Sequence, residues 1–341
     1  MVEDTARFVL NDGELSSSLK AMRHELAGMA KLTGLDLLSG RDSPNDVGRE
    51  SGVRVGSGQR DLVDVVRANL KRAQESLRTI EEYAQTSELR ATLDVAVAES
   101  LRYRAYDCES QIVGRLSRRL QSQRVRGLYV IVDRAVVGSR SPVEVAGQAA
   151  MGGARVIQLR DKLSPKADVV RVATEMMKVC AEHDVLFVVN DYVDIAAAIG
   201  APAVHVGQDD IPIDAVRRLM SLDSIVGVSC HSAEDVRRAR GSGADYIAVG
   251  SVFQTVQKEN PVVVGTELVS QARLEAPGVP LVAIGGIDVS NVAQVVSAGA
   301  DAIALIGAVV GKTNVLDATL DMVARIARAS KERERDVHES A

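Results

Sequence analysis

The chain has 341 residues, of which 46% are hydrophobic and 26% charged, with a net charge of −5. That length suits two domains or one barrel with an extension, and the acidic balance argues against nucleic acid as a main partner. No apolar run approaches about 18 residues and the N-terminus lacks a signal-peptide core, so the sequence predicts a cytoplasmic protein without a membrane partner.

Aromatic residues make up 3% and Trp is absent, so Val, Ile, Leu and Ala must build the core. The three cysteines, Cys108, Cys180 and Cys230, are far apart and odd in number. They fit a reducing compartment better than a disulfide framework. Cys230 falls near the candidate site, as a reactive thiol or as a small buried strand residue.

Residues 1 to about 122 read as helical. Leu15, Leu19, Met22, Leu26 and Met29 define one amphipathic face. Leu62, Val66, Leu70, Ala73, Leu77, Ile80 and Ala84 define a second, and residues 89–121 carry a third long pattern. Such helices are too few for a large core of their own. They must pack on each other, on the rest of the chain or on a second subunit, which makes this region a candidate for homo-oligomer contacts. Residues 40–60 are rich in Gly and polar types and read as a long loop. A weak echo links Met1–Arg7 to Thr79–Gln85, compatible with a duplicated hairpin. Residues 115–126 hold five Arg and no acid. Without interleaved aromatics this reads as a linker or helix end, not a nucleic-acid patch.

From Gly127 the texture changes. Eight short apolar runs follow: Leu128–Val132, Arg155–Leu159, Leu186–Val189, Ala203–Val206, Ile225–Val228, Tyr246–Val249, Leu281–Ile284 and Ala302–Ile306. Helical stretches such as Pro165–Glu182, Ala233–Gly241 and Val289–Ala298 lie between them. Near-continuous apolar strands alternating with helices imply parallel pairing buried on both faces. Eight such units predict an α/β fold, a (β/α)8 barrel after an all-α domain. A doubly wound open sheet is the alternative. The predicted divisions are 1–122, 123–330 and a charged tail, 331–341.

Active sites of such barrels form from the loops at the strands' C-terminal ends. After the second run come Arg160 and Lys162, two residues apart and able to face the same way. They suit phosphate oxygens, or else Arg160 makes a surface ion pair with Asp161 or Asp133. After the third and fourth runs come Asn190–Asp191 and Gln208–Asp210. Asp191 and Asp210 could share one Mg²⁺ with substrate phosphates, unless Asp210 caps the helix starting near Ile213. Ser229 follows the fifth run and can donate to a phosphate, and His231 could serve as acid or base. Ser232 with Asp235 reads as a helix cap. A polar loop with Lys258 follows the sixth run and is long enough to act as a lid. Gly285–Gly286 and Gly307 follow the seventh and eighth, where barrels often bind a phosphate through backbone N–H groups. Two anionic sites in one barrel mouth point to a transferase that expels pyrophosphate.

Several motifs stand in one family's order: Gln158–Lys162, Asn190–Asp191, His205–Asp210, Gly227–Ser229, Gly243–Tyr246, Thr255 with Lys258, Ile284–Ile287 and Gly299–Asp301. Over residues 127–310 the chain resembles the thiamine phosphate synthases. The resemblance implies coupling of a hydroxymethylpyrimidine diphosphate to a thiazole phosphate by a dissociative mechanism. It implies that Gln158, Leu159, Arg160, Asp161, Lys162, Asn190, Ser229 and Lys258 bind the pyrimidine diphosphate. Of these, Arg160, Lys162, Ser229 and Lys258 would carry the catalysis. It places Mg²⁺ on Asp191 and Asp210. It places the thiazole phosphate on Thr255, Val256, Gln257, Gly286, Ile306 and Gly307. Gln257 and Gly307 depart from the family's usual hydroxyl residues but keep their backbone donors. Arg41–Gly48 and Ala68–Tyr83 resemble a helical extension found on some of these synthases. Two rival readings are a tautomerase acting on the thiazole and an inactive barrel carrying a helical interaction module.

Overall fold

The computed structural model describes residues 1–32, 60–86, 94–255 and 262–339. The expected loop at 40–60 therefore lies outside the described residues, apart from Arg60, as do Val256, Gln257 and Lys258. Contacts divide the chain into two compact units, Met1–Ser117 and Arg118 onward.

In the first unit the helices Gly13–Leu32, Leu62–Ala84 and the start of Val95–Ser122 pack on one another. Ala6, Leu15, Val63, Val66, Leu70, Cys108, Ile112 and Leu116 form the shared core. Val66, Leu70, Leu77 and Ala84 of the expected stripe are buried, and the stripe differs at two positions. Leu62 is 39% exposed and Ala73 is also exposed, while Val63 and Gln74 are buried. Gln74 is tolerated there because its Nε2 donates to Glu109 at 2.6 Å, which satisfies a polar group that burial would otherwise penalise. Asp61 starts this helix by accepting the N–H of Asp64 at 2.8 Å.

The second unit is a closed barrel of eight parallel strands in sequence order. The strands are β1 (Gly127–Asp133), β2 (Val156–Arg160), β3 (Leu186–Asn190), β4 (Ala203–Val206), β5 (Ile225–Cys230), β6 (Tyr246–Val249), β7 (Leu281–Ile284) and β8 (Ala302–Leu305). Side chains alternate across this sheet. Tyr129, Ile131, Val156, Val188, Ile225, Tyr246, Val282 and Ala304 fill the barrel interior. Their neighbours Val130, Ile157, Phe187, Val204, Val226, Ile247 and Ile303 pack outward against the helices. Those outward positions supply most of the hydrophobic stabilisation, at about 25 cal/mol per Å² buried. Cys230 is fully buried in this outer core, and burial pushes its thiol up to about 12. It is a packing residue. Ser232 caps Ala233–Gly241 as expected, accepting from Asp235 N–H, but Asp235 reaches back to the N–H of His231.

Asp245 and Asp301 sit just before β6 and β8, at the strands' N-terminal ends. Asp245 accepts the N–H of Val226 at 2.7 Å and pairs with Arg217, and with Arg118 at 3.1 Å. Asp301 accepts the N–H of Leu281 at 2.8 Å and pairs with Arg273. Each carboxylate thus stitches the start of one strand to its neighbour. The basic stretch at 115–126 is absorbed in the same way, with Arg118 on Asp245 and Arg124 on Asp184. The last helix, Val315–Glu339, continues through the residues expected as a charged tail. Among the described residues, no helix is long and apolar enough to cross a membrane.

Candidate active site

A cavity of about 620 Å³ opens where the strands end. The alternation of each strand decides which residues reach it. Gln158 and Arg160 of β2, Asn190 of β3, His205 of β4 and Ser229 of β5 all point inward and line it. Lys162, Asp191, Thr255, Gly286, Ile306 and Gly307 join them from the following loops. Leu159 alternates outward into the helix-facing core. Asp161 is buried below the β2 loop, where it accepts the N–H groups of Leu163 and Ser164 at 3.0 and 2.9 Å. Neither side chain lines the cavity.

Both readings of Arg160 apply at once. It lines the cavity and pairs with Asp133, which is buried and also caps Arg134–Val137 through the N–H of Ala135. The pair aims the guanidinium at the mouth. Lys162 Nζ lies 2.9 Å from Asp191 Oδ2. Asp191 has a left-handed φ of 60°, which Asp tolerates better than most residues. Its N–H donates to the carbonyl of His205 at 2.8 Å, which fixes the β3 end against β4.

Asp210 does not cap the helix at Ile213; Pro212 holds that position without a side-chain bond. Asp210 Oδ2 instead accepts the N–H of Gly207 at 2.7 Å. Its charge is felt by the His205 ring, which lines the cavity. Asp191 lines the cavity and Asp210 does not; the two carboxylates follow adjacent strands and are both hard oxygen donors. That donor chemistry fits a divalent cation of the Mg²⁺ type. Among the described residues, no group of three or more His, Cys, Asp or Glu could hold a metal.

On the other side of the mouth, the loop after β7 turns through Gly285 and Gly286, at φ 104° and 63°. A Cβ on Gly286 would lie 2.3 Å from the carbonyl oxygen of Gln254. The β6 loop therefore packs directly on it. Asn291 braces this turn by donating to Gly286 O at 2.9 Å. Lys312, beyond β8, lines the same side. The residue pattern after β8 gave no sign of it, because it lies five residues past Gly307.

Of the cavity floor, only Gln158 was expected from the sequence as a site residue. Tyr129, Tyr246 and His205 are buried there with Gln158. Burial raises the pKa of both tyrosines and lowers His205 to about 4. Their signal was present: polar residues at inward positions of otherwise apolar strands. His231 lines the cavity too, with its Nδ1 against the carbonyl of Gly250.

The arrangement brings cationic groups to β2, oxygen donors to β3 and β4, and glycine turns with a Lys to β7 and β8. Residues 128–309 match the family described as thiamine monophosphate synthase, and residues 1–111 match the ThiD2 family. The thiamine-phosphate synthase of Synechocystis sp. is 36% identical over 328 residues, which span 96% of this chain and 92% of that one. That of Shouchella clausii is 41% identical over 204 residues, 60% of this chain and 98% of that one. The solved thiamine phosphate pyrophosphorylase of Pyrococcus furiosus has a TM-score of 0.56 and 34% identity, covering 61% of this chain and 98% of that one. With barrel, cavity and near full-length similarity in agreement, this chain belongs to the thiamine-phosphate synthase family.

Proposed function

We propose that the barrel joins a hydroxymethylpyrimidine diphosphate to a thiazole phosphate, forming thiamine phosphate and releasing pyrophosphate. The observation that carries this reading is that one cavity is lined by two sets of residues suited to anions. Arg160 and Lys162 stand on one wall, and the Gly286 and Gly307 loops with Lys312 stand on the other.

The first wall would take the diphosphate. Arg160, held by Asp133, offers a fixed guanidinium, and Lys162 offers a mobile ammonium. Asp191 and Asp210 would hold Mg²⁺, which when bound supplies positive charge to the diphosphate oxygens. The second wall would take the thiazole monophosphate through backbone N–H groups and Lys312. Thr255 lines the cavity between the two walls. Lys258, Val256 and Gln257 would complete that loop.

The chemistry these residues serve is ionisation followed by capture. The C–O bond to the diphosphate breaks, and its electron pair leaves on the pyrophosphate oxygen. A methylene cation remains on the pyrimidine. The thiazole nitrogen then donates its lone pair to that carbon, forming the C–N bond. Negative charge grows on the leaving oxygen, so Arg160, Lys162 and Ser229 bind the transition state more tightly than the ground state. No side chain need act as a nucleophile. Holding both substrates in one cavity supplies the remaining advantage.

The test is direct. Incubated with Mg²⁺ and both substrates, the purified protein should yield thiamine phosphate and pyrophosphate in equal amounts. Thiazole isomerisation without coupling would replace this reading with the tautomerase one.

A further inference from the structure

Below the charged rim, five inward residues from five strands form one continuous hydrogen-bonded line. Gln158 Nε2 (β2) donates to Tyr129 Oη (β1) at 2.9 Å. Tyr129 Oη lies 3.0 Å from Tyr246 Oη (β6). Tyr246 Oη lies 3.0 Å from His205 Nδ1 (β4). His205 Nε2 lies 2.9 Å from Ser229 Oγ (β5). The His205 ring stacks on Tyr246 with centroids 5.4 Å apart. The line crosses the barrel and ends on Ser229, a cavity-lining hydroxyl.

We propose that this line is a one-way hydrogen-bond relay. It fixes His205 as the Nε2–H tautomer and makes Ser229 a dedicated donor toward the cavity. The Gln158 amide N–H fills one acceptor position of Tyr129; in the relay the Tyr129 proton goes to Tyr246, whereas in the reverse polarity Tyr129 would accept twice and turn its proton to the cavity it lines. Tyr246 passes its own proton to His205 Nδ1, which must therefore be bare. The ring proton sits on Nε2 and is donated to Ser229 Oγ. With its oxygen accepting from His205, the Ser229 hydroxyl has its own proton left for the cavity. Each hydroxyl that donates becomes a better acceptor, so the line is mutually polarising. His205, Tyr129 and Tyr246 are positioning residues in this relay, acting through Ser229. The target of the Ser229 proton, the leaving oxygen of the diphosphate, rests on the proposed coupling reaction. The tautomer itself does not.

Gly227 keeps the line in place. A Cβ there would lie 2.0 Å from Cζ of Tyr246, so only glycine admits the ring at this height in the barrel.

The decisive measurement is the ¹⁵N spectrum of histidine-labelled full-length protein without substrates. His205 is assigned by the signal lost in His205→Gln. A protonated Nε2 and an unprotonated Nδ1 are expected. The opposite tautomer, or a fast mixture of the two, would overturn the relay whether or not the protein couples its substrates. A second measurement tests the link to Ser229. Tyr246→Phe should lower kcat about ten-fold while leaving both KM values within about two-fold. In a Ser229→Ala background the same change should have no further effect. Additive losses would refute the link even if the tautomer is as expected. The wild-type spectrum does not depend on Tyr246→Phe, so poor folding of that variant would not leave the relay untested.

Discussion

Lys162 Nζ and Asp191 Oδ2 stand 2.9 Å apart, so the cation of one strand end neutralises the carboxylate of the next. Lys162 is more than half exposed and can swing away. A Mg²⁺ ion competing for Asp191 would release the ammonium toward the diphosphate. Asp191→Asn should therefore uncouple Mg²⁺ from turnover. We expect kcat/KM for the pyrimidine diphosphate to fall about 100-fold, equivalent to about 3 kcal/mol. Mg²⁺ titration of the initial rate checks this; an unchanged Mg²⁺ response in the variant would remove Asp191 from the metal site.

The pH dependence of stability follows from His205. Burial lowers its pKa from 6.5 to about 4 in the folded chain. Between those values the unfolded chain binds more protons, so stability is full above pH 6.5 and is lost as pH falls toward 4. Between pH 7 and pH 5 this one ring should remove about 2 kcal/mol of stability. Urea melts at the two pH values measure it. His205→Gln should flatten the difference, whatever it does to absolute stability.

Lys312 is argued from charge. Gly307 brings no hydroxyl to the β8 end, and Lys312 is a cation that lines the cavity. It is exposed, and its charge is felt by Asp288. Lys312→Ala should raise KM for the thiazole phosphate about ten-fold, with KM for the pyrimidine diphosphate unchanged. Steady-state kinetics with each substrate varied in turn distinguish the two. A rise for the diphosphate instead would reassign Lys312 to the other wall.

The barrel and the charged half of the cavity were legible because alternation and loop position carry them. Strand register turned Arg160, Asn190 and Ser229 inward and Leu159 outward. The adjacent motif residues thus separated into cavity and core in a way that motif matching alone does not reveal. Two other motif residues, Asp245 and Asp301, are strand-stitching carboxylates at the opposite end of the barrel from the cavity. Their bonds to the neighbouring strand serve stability rather than chemistry. The Tyr129–Tyr246–His205 line was not legible because its members are brought together only by barrel closure. They lie 117 and 41 residues apart along the chain.

Gly227→Ala tests whether that line needs its glycine. The new Cβ would meet the Tyr246 ring at 2.0 Å, far inside contact distance. Overpacking of this kind costs roughly 1–3 kcal/mol, and the thermal midpoint should fall by roughly 2–12 °C. Gly241→Ala, at a position with open space for a Cβ, should leave the midpoint in place. Scanning calorimetry of both variants gives the comparison. An unshifted midpoint in Gly227→Ala would show that Tyr246 can move without penalty.

The helical unit should be dispensable for coupling. The Shouchella clausii synthase is matched over 98% of its length by 60% of this chain, and the Pyrococcus furiosus structure by 61%. The barrel from Arg118 onward has its own closed sheet and core, and Arg118 belongs to it through Asp245. A chain starting at Arg118 should keep kcat within about three-fold of the full protein, because the described residues that line the cavity all belong to the barrel. Light scattering on the two chains then reads the other half of the question. A lower oligomeric mass for the shortened chain, with coupling retained, assigns self-association to the helices. An unchanged mass with lost coupling would instead make residues 1–117 part of the catalytic apparatus.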